Sequence, residues 1–158
     1  MTNHCGSCTA CCRVFSIPEI EKPAGKWCDH CAIGKGCKVY DTRPKTCVDY
    51  ECLWLMSQSR DDPRQRLAPE LRPDRSKVVI APSTNPNVMG ATTLPGSPDA
   101  WKRPAMHALL KTFVDAGLAV SIGPPAARYQ TVWKSSGIRQ VEMSPPDENG
   151  IQWSVESA

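Results

Sequence analysis

Cys5-Gly6-Ser7-Cys8-Thr9-Ala10-Cys11-Cys12 is the stretch on which the chain turns, and Cys28-Asp29-His30-Cys31, Cys37, Cys47 and Cys52 continue it. These nine cysteines are the only ones in 158 residues, and none follows Cys52. Two residues between cysteines permit a tight turn that aims both sulfurs at one ion, with backbone N–H groups facing them. That spacing occurs at Cys5/Cys8, Cys8/Cys11 and Cys28/Cys31. Repetition on this scale reads as a metal-binding thiolate cluster, which a lone pair would not. A disulfide framework fits less well: the count is odd, and Met1-Thr2-Asn3-His4 has neither a basic nor an apolar leader. A thioredoxin-type redox pair accounts for only two thiols. Burial without a ligand would explain one or two, most readily one of the adjacent pair.

Geometry limits how the sulfurs are shared. Cys11 and Cys12 are neighbours, so their side chains leave the backbone in different directions and chelate a single ion poorly. They either feed two adjacent centres, or one ligates while the other packs. Nine thiolates allow two four-sulfur sites with one spare, or a thiolate-bridged cluster. Soft sulfur ligands suit zinc or iron–sulfur centres and exclude hard ions. His30, inside Cys28-Asp29-His30-Cys31, is the one nitrogen candidate, either as a ligand or orienting a thiolate. His4 reads as solvated. A thiolate site is anionic and needs donors around it. Arg43 is the best such donor, because its planar fork serves two sulfurs or a carboxylate at once. Lys22 and Lys35 read as solvated surface.

The string Cys5-x2-Cys8-x2-Cys11-Cys12, then Trp27-Cys28-x-His30-Cys31, then Gly36-Cys37-x-Val39-Tyr40-Asp41-x-Arg43-Pro44-x2-Cys47-x2-Tyr50-x-Cys52, resembles the YkgJ-type cysteine-cluster family. That family is described as a zinc- or iron-chelating CxxCxxCC domain. The resemblance covers Cys5 to about Leu55, with Arg43–Cys47 as a distinctive part. It implies that Cys5, Cys8, Cys11, Cys12, Cys37, Cys47 and Cys52 are ligand positions, with Cys28 or Cys31 completing the set. A related pattern occurs in flagellin lysine methylases, where it is associated with an iron–sulfur cluster. This chain shows no separate cofactor-binding domain of the kind such an enzyme uses.

The remaining composition narrows the function further. Net charge is +3 and evenly spread: residues 1–59 carry seven basic and six acidic side chains, and the rest carry twelve and ten. No Lys/Arg stripe interleaved with aromatics appears, so nucleic acid is not implied as a partner. No apolar run approaches the ~20 residues of a membrane span. Abundant thiols without an export signal place the chain in a reducing cytoplasm. No G-x-G-x-x-G, G-x-x-x-x-G-K, G-x-S-x-G or H-E-x-x-H motif is present, so no catalytic constellation is visible outside the cysteines.

The fold expected is α+β: a loop-rich cysteine metal module (1–57), a polar linker or arm (58–76), and a small mixed sheet with one main helix (77–158). A short helix should carry Cys11 and Cys12, with Val14 and Phe15 turned inward, and Pro44 should open a turn carrying Cys47 and Cys52. Lys77–Ala81 reads as a buried strand, Val88–Thr93 as a short extended piece in a loop, and Leu118–Ile122 as a strand parallel to the first. Between them a helix should start at Ser97-Pro98 and run to about Ala116, facing inward with Trp101, Ala105, Leu109 and Phe113. Tyr129–Lys134 and Ile138–Met143 read as a hairpin, and Ile151–Val155 as an edge strand. Trp101, Trp133 and Trp153 read as packing residues, and His107 as a solvated or satisfied histidine. Metal ions are the partners implied, zinc slightly ahead of iron or an iron–sulfur cluster. The roles left open are structural or carrier, electron transfer or methyl or radical chemistry, and a metal-shaped surface for a protein partner.

Overall fold

The structure is a computed structural model that describes residues 5–155, so His4 lies outside the described residues. In chain order the elements are α1 (Ala10–Val14), β1 (Cys31–Ala32), β2 (Gly36–Cys37), α2 (Lys45–Asp49), α3 (Leu53–Gln58), α4 (Pro73–Ser76), β3 (Val78–Pro82), β4 (Val88–Thr93), α5 (Pro104–Asp115), β5 (Ala119–Gly123), β6 (Tyr129–Lys134) and β7 (Gly137–Glu142), with short 3-10 turns between several of them. The class is α+β. Strands β1 and β2 form a small antiparallel ribbon, and β3-β4-β5-β6-β7 form a five-stranded mixed sheet. Among the described residues no helix is long and apolar enough to cross a membrane.

Val78, Val79 and Ile80 are all buried, although successive strand residues face opposite sides of a sheet. The strand therefore serves two cores. Val78 and Ile80 join Met89, Ala91, Val120 and Ile122 under α5, which contributes Met106, Leu110 and Val114. Val79 faces the other way and packs with Leu94, Ala10 and Val14, so α1 of the cysteine module covers that side. A continuous apolar run is what a strand covered on both faces requires.

Several expectations shift. Val88–Thr93 is a full strand, antiparallel to β3 and parallel to β5 (Met89 opposite Val120, Ala91 opposite Ile122). The helical crossover thus joins β4 to β5, and the first strand is not the parallel partner. Gly90 and the threonines of β4 dilute the apolar pattern that would otherwise announce it. Ala100–Lys102 is a 3-10 turn, and α5 starts at Pro104. Arg103 is extended, as a residue before proline prefers, so the helix begins six residues later than Ser97-Pro98 suggests. Its core stripe is Met106, Leu110 and Val114, with Leu109 and Phe113 half-buried beside it. The 129–143 hairpin forms as β6 and β7, Lys134 pairing with Gly137 across Ser135-Ser136. Ile151–Val155 makes only an isolated bridge, Met143 with Ser154, and Trp153 stays 57 % exposed. Trp101 and Trp133 do pack on the core, and His107 lies against both rings, 6.3 and 4.7 Å between centroids.

Residues 58–76 are tied down rather than free. The Trp54 indole N–H donates to the Ala68 carbonyl at 3.2 Å, and the Leu67 N–H donates to the Ser57 hydroxyl at 3.1 Å. Arg72 pairs with Asp74 and donates to the Ser7 hydroxyl at 2.9 Å, joining this segment to the first cysteine turn.

Leu110 is 0 % exposed at the centre of the larger core. Leu110→Ala is expected to cost about 2–5 kcal/mol by equilibrium urea denaturation. A loss below about 1 kcal/mol would place Leu110 outside the well-packed core.

Candidate metal centre

Two of the three Cys-x2-Cys pairs are closed by a backbone turn. The Cys8 N–H donates to the Cys5 carbonyl at 3.0 Å, and the Cys31 N–H donates to the Cys28 carbonyl at 3.0 Å. Gly6, at φ +58°, supplies the left-handed residue of the first turn. The Cys28 N–H donates to the Cys12 carbonyl at 3.0 Å and stitches the two cysteine blocks together. In the ribbon Cys31 sits directly opposite Cys37. Gly36 beside it has φ +141°, a conformation that favours glycine, and a Cβ there would lie 3.2 Å from the Gly6 carbonyl oxygen, a tight contact between the two turns.

Cys47 lies on α2. The Glu19 carboxylate accepts from the Thr46 N–H and hydroxyl at 2.9 and 2.8 Å, capping that helix from outside. Cys52 is not on the same turn, as expected from sequence, because Tyr50 is extended and ends α2. Cys52 instead caps α3, its sulfur accepting from the Leu55 N–H at 3.5 Å.

The sulfurs gather into two neighbourhoods. Cys5, Cys8, Cys11 and Cys52 line a cavity of about 20 Å³ closed by Leu55 and Val79. Cys8, Cys52 and Tyr50 pack on the Ala10–Val14–Val79–Leu94 core. Buried Cys28 and Cys31, with Cys12 and Cys47 against them, belong to a separate apolar cluster around Ile17, Ile20 and Trp27. All nine cysteines are free. Adjacent Cys11 and Cys12 still interact directly through their side chains, and the contacts run on to Cys5 and to Cys31.

That row fixes the protonation pattern. The Cys11 thiol, shared between Cys12 and Cys5, holds its proton far above the ordinary range, and burial adds to this. Its hydrogen bonds draw Cys5 down to about 7 and Cys12 down to about 6. Burial pushes Cys31 up to about 12, with the neighbouring Cys12 charge reinforcing it. Burial likewise pushes Cys47 and Cys52 up to about 11.

Lys22 is the residue that sequence reading misplaced. It is 7 % exposed, not solvated. Its ammonium donates to the carbonyls of Arg13 (3.2 Å), Phe15 and Pro23 (3.1 Å). Burial lowers its pKa, while Cys28, Cys12, Cys11 and Cys47 pull the other way. Ile17 and Lys22 pair in an isolated antiparallel bridge around this tight turn, and the bare sequence carries no signal for the turn. Arg43 donates to the Tyr40 carbonyl at 2.8 Å and lies over that ring, 4.0 Å from its centroid, while its charge lowers Cys5. His30 is half-buried and its carbonyl accepts from the Lys38 N–H at 2.8 Å. Lys35 is exposed, as expected. The Tyr50 hydroxyl, also missed, is buried without a hydrogen-bond partner. Burial raises its pKa far above the ordinary range, reinforced by Cys52, Cys11, Cys5 and Cys8.

Among the described residues no three His, Cys, Asp or Glu side chains are arranged ready to hold a metal ion. The thiol donors fit a thiophilic ion in type, and an ion would have to draw the sulfurs inward, as metal-coupled folding does. Comparison with protein-family models, curated proteins and solved structures finds no match for the chain.

Lys22→Met leaves the carbonyls of Arg13, Phe15 and Pro23 without their buried donor. The expected loss is on the order of 1–3 kcal/mol in denaturant unfolding, partly recovered in Lys22→Arg. An unchanged midpoint would mean that this ammonium holds nothing together.

Proposed function

We propose that this protein binds metal ions through its cysteine thiolates, zinc ahead of iron, in a structural or carrier role. The observation that carries the reading is the set of four sulfurs around a small cavity, two of them packed on the same core as Tyr50, whose buried hydroxyl has no hydrogen-bond partner among the described residues. A buried donor without an acceptor costs on the order of 1–3 kcal/mol, and a metal-bound thiolate is the acceptor it lacks. The cavity of about 20 Å³ suits a single ion rather than a large inorganic cluster, since one water needs roughly 10–15 Å³ on this measure. The likeness of Cys5–Leu55 to the YkgJ-type pattern points the same way. A site closed by four thiolates leaves no open coordination position, which favours a structural or carrier role over hydrolysis. Nine free thiols belong in a reducing compartment such as the cytoplasm.

The test is anaerobic purification followed by elemental analysis and an absorption spectrum. Colourless protein carrying zinc is the expected result. Brown protein with iron and acid-labile sulfide would move the function to an iron–sulfur centre, and metal-free protein that takes up neither ion would end the proposal. Chelation of bound metal should remove amide-exchange protection from the cysteine module while α5 and the five-stranded sheet keep theirs. Unchanged protection in the module would rule out the structural role and leave the carrier role.

A further inference from the structure

Resting on the thiolate reading above, we propose that the nine sulfurs form two distinct metal sites placed back to back across the Cys11–Cys12 peptide. The first is built from Cys5, Cys8, Cys11 and Cys52 under the Tyr50 hydroxyl. The second takes four of Cys12, Cys28, Cys31, Cys37 and Cys47 beside the Lys22 ammonium.

Three independent observations divide the sulfurs in the same way. The first is the cavity: its sulfur lining is Cys5, Cys8, Cys11 and Cys52, with no member of the other set. The second is packing. Cys8 and Cys52 belong to the core shared by α1 and β3, whereas Cys12, Cys28, Cys31 and Cys47 belong to the cluster around Ile17 and Trp27. The third is the helix itself. Cys11 and Cys12 both lie on α1, where consecutive side chains diverge by about 100°; their sulfurs still touch, but Cys11 reaches on to Cys5 and Cys12 to Cys31, one into each set. Cys37 joins the second set because the ribbon holds it opposite Cys31.

Each set also has its own compensating group. The Tyr50 hydroxyl is buried without an acceptor, and its ring packs 4.5 Å from that of Phe15 in the first envelope. A deprotonated sulfur of the first set is the acceptor that its chemistry calls for. The second set has the Lys22 cation, held on three backbone carbonyls. A divalent ion bound by four thiolates carries a formal charge of about −2; the Lys22 cation offsets part of it in the second set, and the neutral Tyr50 hydroxyl offers a hydrogen bond to a sulfur of the first.

The experiment titrates full-length protein, reduced and metal-free, with Co(II), whose thiolate absorption reports each site, and then displaces it with Zn(II). The intact chain is expected to bind about two Co(II) ions. Cys52→Ser and the paired change Cys28→Ser/Cys31→Ser, which leaves the second set only three sulfurs, are each expected to retain about one ion, and all three changes together none. Tyr50→Phe, which keeps the ring, should alter only the part of the spectrum that Cys28→Ser/Cys31→Ser retains. Metal-free intact protein that takes up no Co(II) or Zn(II) would defeat the thiolate reading and the partition with it. Uptake of a single ion, or loss of both ions from either serine variant with native circular dichroism, would defeat the partition alone. If a serine variant fails to fold, Tyr50→Phe in the otherwise intact protein decides: a change confined to part of the Co(II) spectrum supports two sites, and a change of the whole spectrum overturns them.

Discussion

A buried ammonium ion is tolerable only where oxygen lone pairs surround it, and Lys22 meets that requirement with the carbonyls of Arg13, Phe15 and Pro23. Those carbonyls come from the end of α1 and from the connector after it, so one side chain fastens the helix to the segment that leads to Cys28. The orientation of Cys11 and Cys12 depends on how α1 sits, and so does the hydrogen bond from the Cys28 N–H to the Cys12 carbonyl. The same cation offsets the negative charge that accumulates on neighbouring sulfurs. Geometry and electrostatics of the cysteine module are thus joined at a single residue.

The module in turn depends on the sheet. Its own apolar content is slight: Ala10, Val14, Ile17 and Leu55 are its buried aliphatic residues, with Cys28 and Cys31 buried beside them. What it lacks it borrows from Val79 and Leu94, on the face of β3 turned away from α5. Further contacts link it to the far end of the chain: the Ser16 hydroxyl donates to the Asn149 carbonyl, and Gly150 leaves no room there for any side chain. The three segments read from sequence therefore share one packed body, with 58–76 folded back on α3.

How much was legible follows from how local each cause is. The Cys-x2-Cys turns, the helix carrying Cys11 and Cys12, the buried run at Val78–Ile80 and the β6–β7 hairpin are written in residues close together in the chain, and they appear where expected. The parallel partner of β5 was not, because β4 alternates glycine, alanine and threonine with few large apolar residues, and only its neighbours on both sides reveal it as a strand. The start of α5 turned on a choice between two prolines, Pro98 and Pro104, which local rules rank equally. Lys22 and Tyr50 escaped for a deeper reason. Whether a polar head is buried depends on what closes over it: the carbonyls of Arg13, Phe15 and Pro23 are near Lys22 in sequence but converge on it only once the chain has folded, and Tyr50 packs with Ala10, Val14, Val79 and Leu94 from distant segments.

The outer edge of β7 has a consequence of another kind. Among the described residues no sixth strand pairs with it, and Ile138 within it is 53 % exposed. A bare edge of this sort recruits strands from other molecules. Here residues 153–155 fold back over one end, where the Val155 N–H donates to the Glu142 carbonyl and the Ser144 N–H to the Trp153 carbonyl. Arg139 guards the middle with a charge that resists close stacking of copies. Residues 153–155 thus pair with one end of an edge whose free backbone groups are otherwise open to another strand.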